Sequence, residues 1–460
     1  MTSPDADARM ACRVCGLPLN RYVDLDTGQV RYQHPARVVA EPAGHRPDPA
    51  PLDDVDARHV CDFCSDERIA YTFHTVPISA VVDTAGGQVV ERYGTDWSAC
   101  FPCAMRVRDR DLDGLQQRLH QTAPHLDPIA AGAARVMQQA VLQSLLPGIT
   151  VANLGRWPAT PLPAATLPKV RDRLANLLTG PVGLPLGLTD PAVRGPVADS
   201  LRAARLFWID PEFTELAEYA AGSLPATHLT AADVPAPHGL LAWAHPVGPR
   251  ADLVAASWTS GPHGLRVVGY RSIGAGLPAE DLQPFREQLG WLGPRVHAQL
   301  PPGEPVDASS PAAALVTTWL LIAQRLTETT PAPVDKAIRK AYRRNGRPDP
   351  EVRLVRIRGA STVRPAGDAA SPHRSADDRP ARSRDHRWWV KAHWRGQPYG
   401  PGRTLRRPLL VLPQLRGPDD KPIRASTVVR MLAAAPPPPE QPRHGDGQQP
   451  TPTNDSTPTT

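Results

Sequence analysis

Six cysteines occur in the chain, all within its first 103 residues and all in C-x-x-C pairs: Cys12/Cys15, Cys61/Cys64 and Cys100/Cys103. Two residues between thiols let one tight turn present both sulfurs to a single tetrahedral Zn2+, at about 2.3 Å each. Cys61, Cys64, Cys100 and Cys103 make a complete all-thiolate ligand set. Four thiolates leave zinc no open position for a substrate, so the chemistry they offer is structural. Cys12 and Cys15 need two further ligands; His34 and His45 are the expected pair, with His59 and His74 as alternatives to His45. Neutral imidazole is an ordinary zinc ligand. The expectation is therefore two Zn2+ per chain. A redox dithiol is the competing use of C-x-x-C, and it needs a βαβ setting that these segments lack.

The elements around the cysteines must hold them. Gly16 follows the second thiol and supplies the backbone freedom of a knuckle. Residues 21–35 read as two short strands about the turn Asp26-Thr27-Gly28, ending at His34. After Cys61 and Cys64, strands over Tyr71–Val82 and Gln88–Tyr93 lead to Cys100 and Cys103, which open a helix. A knuckle, a hairpin and a helix carrying the second C-x-x-C is a treble-clef-like arrangement, and a helix N-terminus favours thiolate. Asp111 is placed to cap a second helix with Leu112, Leu115 and Leu119 on one face.

At 460 residues the chain has room for roughly three domains. The expected class is multidomain α+β. A two-zinc module over 11–121 precedes a mainly helical middle with a small sheet over 126–359. Helical spacing runs through Ala134–Leu146, Lys169–Leu178 and Ala192–Phe207, then Ala279–Leu289 and Pro311–Leu326. The small sheet lies within Gly239–Ile273, and another strand spans Glu351–Gly359. Residues 360–385 read as a linker, 386–432 as a basic β-rich module and 433–460 as a disordered tail. No apolar run follows the start, and Ala312–Ala323 is too short to span a bilayer. A cytoplasmic location with no membrane contact is expected, where paired cysteines favour metal over disulfide.

Charge is unevenly placed. Between Asp335 and Arg430 there are 24 Lys and Arg against nine Asp and Glu, while the remainder is acidic by nine charges. The excess points to DNA or RNA as partner for residues 335–430. With 47 arginines and five lysines, and 55 prolines, the composition also resembles that of a GC-rich genome, which weakens arguments from arginine content alone. Two stretches carry the charge. Helix 335–345 sets Val334, Ile338, Ala341 and Tyr342 against Lys336, Arg339, Lys340, Arg343 and Arg344. In 387–408, Trp389, Trp394, Arg395, Arg403, Arg406 and Arg407 interleave aromatics with cations, a pattern suited to stacking bases and neutralising phosphates. A solvated face and a small aromatic core are the plain alternatives.

Three stretches together resemble uncharacterised proteins of actinobacterial genomes and their mobile elements. They are CRVCG with D-x-x-T-G-x-x-x-Y-Q-H-P, CDFC with W-S-A-C-F-P-C, and WWVKAHWRGQPYGPGR with LRGPDDKP. The resemblance implies that Cys12, Cys15, His34 and His45 form one motif, and it assigns no catalytic residue. No G-x-S-x-G, H-E-x-x-H or Walker loop occurs, and His238 and His263 have no nucleophile spaced near them. The leading expectation is a zinc protein that binds nucleic acid, possible settings being replication, transfer or regulation of a mobile element. A protein-interaction scaffold is the runner-up, and an enzyme with its site in the middle region the third reading. Oligomeric state is not indicated.

Overall fold

Val, Ile, Thr and aromatic residues flank the cysteines and form strands, because branched and aromatic side chains suit a pleated surface. The computed structural model describes residues 10–24, 27–34, 45–51, 55, 59–84, 87–126, 128–153, 155–248, 252–358, 386–416, 418 and 421–423. The expected linker 360–385 and tail 433–460 lie outside the described residues. The first part runs β1 (Met10–Cys12), β2 (Asn20–Asp24), β3 (Val30–Gln33), β4 (Pro49–Pro51), β5 (Ile69–Thr84) and β6 (Gly87–Cys100). Helices α1 (Phe101–Arg108), α2 (Leu112–Thr122) and α3 (Pro128–Ser144) and strand β7 (Leu145–Val151) follow. A five-stranded antiparallel sheet has the order β3-β2-β6-β5-β7. Helix α1 starts directly at Cys100, with Pro102 in its first turn. The Asp111 side chain accepts from the Gly114 N–H at 2.9 Å and caps α2.

The next part contains α4 (Leu167–Thr179), α5 (Pro191–Ala203), β8 (Arg205–Ile209), α6 (Pro211–Ala221) and β9 (Thr227–His228). Strands β10 (His238–Val247), β11 (Leu253–Gly261) and β12 (Gly264–Ser272), α7 (Ala279–Gln288), β13 (Leu292–Leu300) and β14 (Pro305–Val306) continue it. Helix α8 (Ala313–Ile322), β15 (Thr327–Ala332), α9 (Lys336–Arg344) and β16 (Val352–Ile357) complete it. Seven strands make one sheet in the order β13-β12-β11-β10-β8-β16-β15. Strand β8 is parallel to both β10 and β16; the other pairs are antiparallel.

Both faces of this sheet are buried. Leu206, Leu240, Val268 and Val352 pack with α4, α5 and α7 into a core continuous with Phe63, Trp97 and Val107 of the cysteine module. Phe207, Ile209, Trp243 and Val355 face the other way, against α6 and α8. The middle region is accordingly a mixed α/β layer structure, and the expectation of a mainly helical middle is corrected. Strands β7, β8, β13 and β15 fall where helix or loop was expected. A strand covered on both faces reads as a continuous apolar run, so Leu206-Phe207-Trp208-Ile209 carries no period of two.

The chain divides into two units, 1–373 with 393–411, and 374–392 with 412–460. In the first, β18 (His393–Tyr399) and β19 (Leu405–Val411) form an antiparallel hairpin; β17 (Trp388–Val390) belongs to the second and pairs with β20 (Gln414–Arg416). The hairpin buries Leu410 and half-buries Trp394 against the α6–α8 core, and the Trp394 indole N–H donates to the Ala220 carbonyl at 3.0 Å.

Candidate metal centres

The same local turn is built twice. The N–H of Gly16 donates to Cys12 O, and that of Ser65 donates to Cys61 O, each at 2.8 Å. Both residues sit in the left-handed region, at φ of 72° and 64°. Glycine adopts this conformation freely, whereas serine is held there by the turn.

Cys12 Sγ lies 3.3 Å from His45 Nε2, and Cys15 Sγ lies 3.4 Å from His34 Nε2. The two imidazoles meet edge to face, with centroids 5.0 Å apart. All four ligand atoms fall within 4.8 Å of one another, and the same holds for Cys61, Cys64, Cys100 and Cys103. Cys64 and Cys100 sulfurs are 3.5 Å apart, far beyond a disulfide's roughly 2.05 Å. Edges of a zinc tetrahedron with such ligands are about 3.6–3.8 Å. The donor sets and their spacing therefore fit a divalent metal, and each cluster can hold one ion.

The second cluster is fully buried, each cysteine no more than 1 % exposed. Burial, together with hydrogen bonding to Cys100, pushes the Cys61 thiol up, and hydrogen bonding from Cys100 raises Cys103. Hydrogen bonds from Cys100, Cys103 and Cys61 lower Cys64. Without a cation, charge on one thiolate thus keeps its neighbours protonated; a divalent ion removes that restraint. At the outer cluster burial opposes ionisation of Cys12, but backbone N–H groups at Asp48, Cys15 and Val14 and the His34 ring draw its thiol down to about 5. Cys15 is raised by burial.

A supporting layer surrounds the four buried cysteines. The wholly buried Gln138 of α3 donates to the Phe63 carbonyl, inside the knuckle, at 3.2 Å and accepts from Gln116 of α2 at 2.8 Å. Arg118 of α2, its side chain 17 % exposed, reaches Asp66 at 3.5 Å. Burial opposes its charge, yet Cys64, Cys100 and Cys103 together raise its affinity for a proton. A Zn2+ held by four thiolates would carry two negative charges, and Arg118, with Arg68 nearby, is placed as a counter-charge. Arg118→Gln should weaken zinc affinity of this cluster by about 10–100-fold while leaving the fold intact, as read by chelator competition. Unchanged affinity would remove Arg118 from the supporting layer. Neither Gln138 nor Arg118 carries a sequence signature.

The expected nucleic-acid residues of the first unit do not form one group in space. Arg339, Lys340, Arg343 and Arg344 are exposed on α9, with Ile338 and Tyr342 buried beneath. Helix α9 rests on α4: Tyr342 Oη donates to Asp172 Oδ2 at 2.6 Å. Arg395, Arg403, Arg406 and Arg407 are exposed on the β18–β19 hairpin, which packs on the opposite helical layer. Trp389 is 48 % exposed on β17, while Trp394 is spent as the hairpin's anchor. His74, an alternative ligand, bonds Asp96 and Thr150 instead. The structure also places hydroxyls near His238: Ser200 Oγ at 3.1 Å and Thr259 Oγ1 at 2.8 Å, both on Nδ1. Sharing one ring nitrogen, they clamp α5, β10 and β11 together. Among the described residues no helix is long and apolar enough to cross a membrane. No protein-family model, no curated protein and no solved structure matches the chain, so the resemblance to actinobacterial and mobile-element proteins gains no support from them.

Proposed function

We propose that the protein is a zinc-stabilised nucleic-acid-binding protein. Its two Cys/His clusters hold Zn2+, the inner one in a treble-clef-like setting of knuckle, hairpin and helix, and α9 carries the main contact with DNA or RNA. The observation that supports it most is the division of α9: Ile338 and Tyr342 are buried, while Lys336, Arg339, Lys340, Arg343 and Arg344 all face solvent. Of the α9 cations, Arg343 is bonded to Asp349 at 2.8 Å, which leaves the others better placed for phosphates. The hairpin arginines form a separate basic patch.

Titration of the full chain with labelled single- and double-stranded oligonucleotides at about 50 and 200 mM salt tests this reading. A binder neutralising about six phosphates loses roughly a thousandfold in affinity over that range. Changing Arg339, Lys340 and Arg344 together to Glu should flatten the slope of log affinity against log salt by about 3. No binding at low salt, or the same slope in the variant, sinks the assignment. A protein scaffold is the second reading, favoured by Ile129 and Val136, which stand 86 % and 67 % exposed on α3.

A further inference from the structure

We propose that an arginine-lined cleft at the amino-terminal edge of β8 and β16 seats a phosphomonoester group. The cleft encloses about 450 Å³, within the range of ligand pockets, about 300–1,000 Å³. Five arginines line it: Arg171, Arg202, Arg205, Arg347 and Arg353. They come from α4, the end of α5, the start of β8, the turn after α9, and β16. None of them lies within the charged run that the sequence places on α9.

The cleft is built in advance. Asp172 ties three of the lining side chains together: it accepts from Arg347 Nη1 at 2.7 Å, from Arg171 Nη2 at 2.9 Å and from Tyr342 Oη at 2.6 Å. Arg171 also donates to Tyr342 Oη at 2.7 Å and is only 8 % exposed. The Arg347 guanidinium lies over the Tyr342 ring, 4.1 Å from its centroid. These contacts fix two guanidinium planes without using all ten of their N–H groups, and a planar fork so held suits bidentate phosphate contacts.

The remaining pairings are exposed to solvent. Arg353 and Glu351 are 3.4 Å apart, and Arg202 donates to Asp199 at 2.7 Å with both side chains well exposed. Such pairs contribute little and yield readily to a stronger anion. Counting Asp199 and Arg343, the partners of Arg202 and Asp349, six arginines face Asp172, Asp199, Asp349 and Glu351 in and beside the cleft and leave a surplus of two positive charges. A phosphomonoester carries close to two negative charges above its second pKa of about 6. Charge, fork geometry and volume thus agree on a mononucleotide or the phosphorylated end of a strand. The assignment stands with or without strand binding by α9.

Calorimetric titration of the full chain with adenosine 5′-monophosphate, adenosine, and 5′-phosphorylated and 5′-hydroxyl oligothymidine tests it. At least one phosphorylated ligand should bind tenfold or more tightly than its unphosphorylated counterpart. That advantage should fall in Arg205→Gln, an exposed site whose loss leaves the core intact, and should fade below about pH 6 as the phosphate regains a proton. A preference for the mononucleotide alone identifies a free nucleotide as the source, and a preference for the phosphorylated strand alone identifies a strand end. If neither phosphorylated ligand gains over its counterpart, or Arg205→Gln leaves the gain unchanged, the cleft is not a phosphate site. Salt-dependent binding of 5′-hydroxyl strands in that case leaves the α9 reading standing.

Discussion

Cys61→Ser should release one of two metal ions and unfold far more than the cysteine module. A serine hydroxyl does not replace a thiolate on zinc, and metal binding supplies on the order of 10 kcal/mol of folding free energy in zinc-finger peptides. Cys61, Phe63 and Cys64 belong to the same continuous core as Val170, Leu174, Leu206 and Leu240. Loss of the ion therefore opens one side of the seven-stranded sheet. Elemental analysis should find two zinc ions per chain in the parent and one in the variant, and calorimetry should show one large downward shift of the main transition. Retention of both ions and of the parent proteolysis pattern would overturn the structural role, and visible absorbance from iron would overturn the choice of metal.

Asp172→Ala should cost about 3 kcal/mol and loosen α9 from α4. Removing one partner of a buried ionic network leaves the other charge uncompensated, typically worth 3–5 kcal/mol, and the partial exposure of Asp172 argues for the lower end. Burial opposes ionisation of this carboxyl, but Arg347, Tyr342 and Arg171 outweigh it and hold the group below the ordinary carboxylate range. A depressed value adds stability above the unfolded pKa of about 3.9, and the contribution is lost as pH falls through the folded value. Parent and variant should thus differ fully at neutral pH and converge in strong acid. Denaturant melts at pH 7 and pH 3 measure this. An equal difference at both would show that lost packing, not charge, sets the effect.

The grouping of the Cys/His clusters was legible because ligand type and spacing are chemistry that the sequence states directly. Even His45, thirty-three positions from Cys12, closes its cluster. Hairpins with marked turns, such as β2–β3, were legible for the same local reason. What escaped is what depends on long-range burial. Strand β8 follows a helix and continues its apolar run, and β15, Thr-Glu-Thr-Thr-Pro-Ala, is a polar edge strand with no period to detect. The arginine cleft escaped because its members lie between positions 171 and 353 and meet only through the sheet. Conversely, the basic stretch that looks contiguous in sequence is divided in space, with α9 and the hairpin on opposite helical layers.

The placement of β16 beside β8 also sets a schedule for synthesis. Strand β8 ends at Ile209 and its parallel neighbour ends at Ile357, roughly 150 residues later. At about 5–20 residues per second, a ribosome takes on the order of 10–30 s to deliver the second strand after the first. Through that interval β10 can pair with β8 on one side, while the other edge of an apolar strand stays open to wrong partners. The cysteine module, whose last strand β7 ends at Val151, is synthesised before β8 and its clusters are already available to hold a metal ion. A nascent chain therefore waits with its cysteine module made and the β16 edge of β8 uncovered, and conditions that slow translation lengthen its exposure to aggregation.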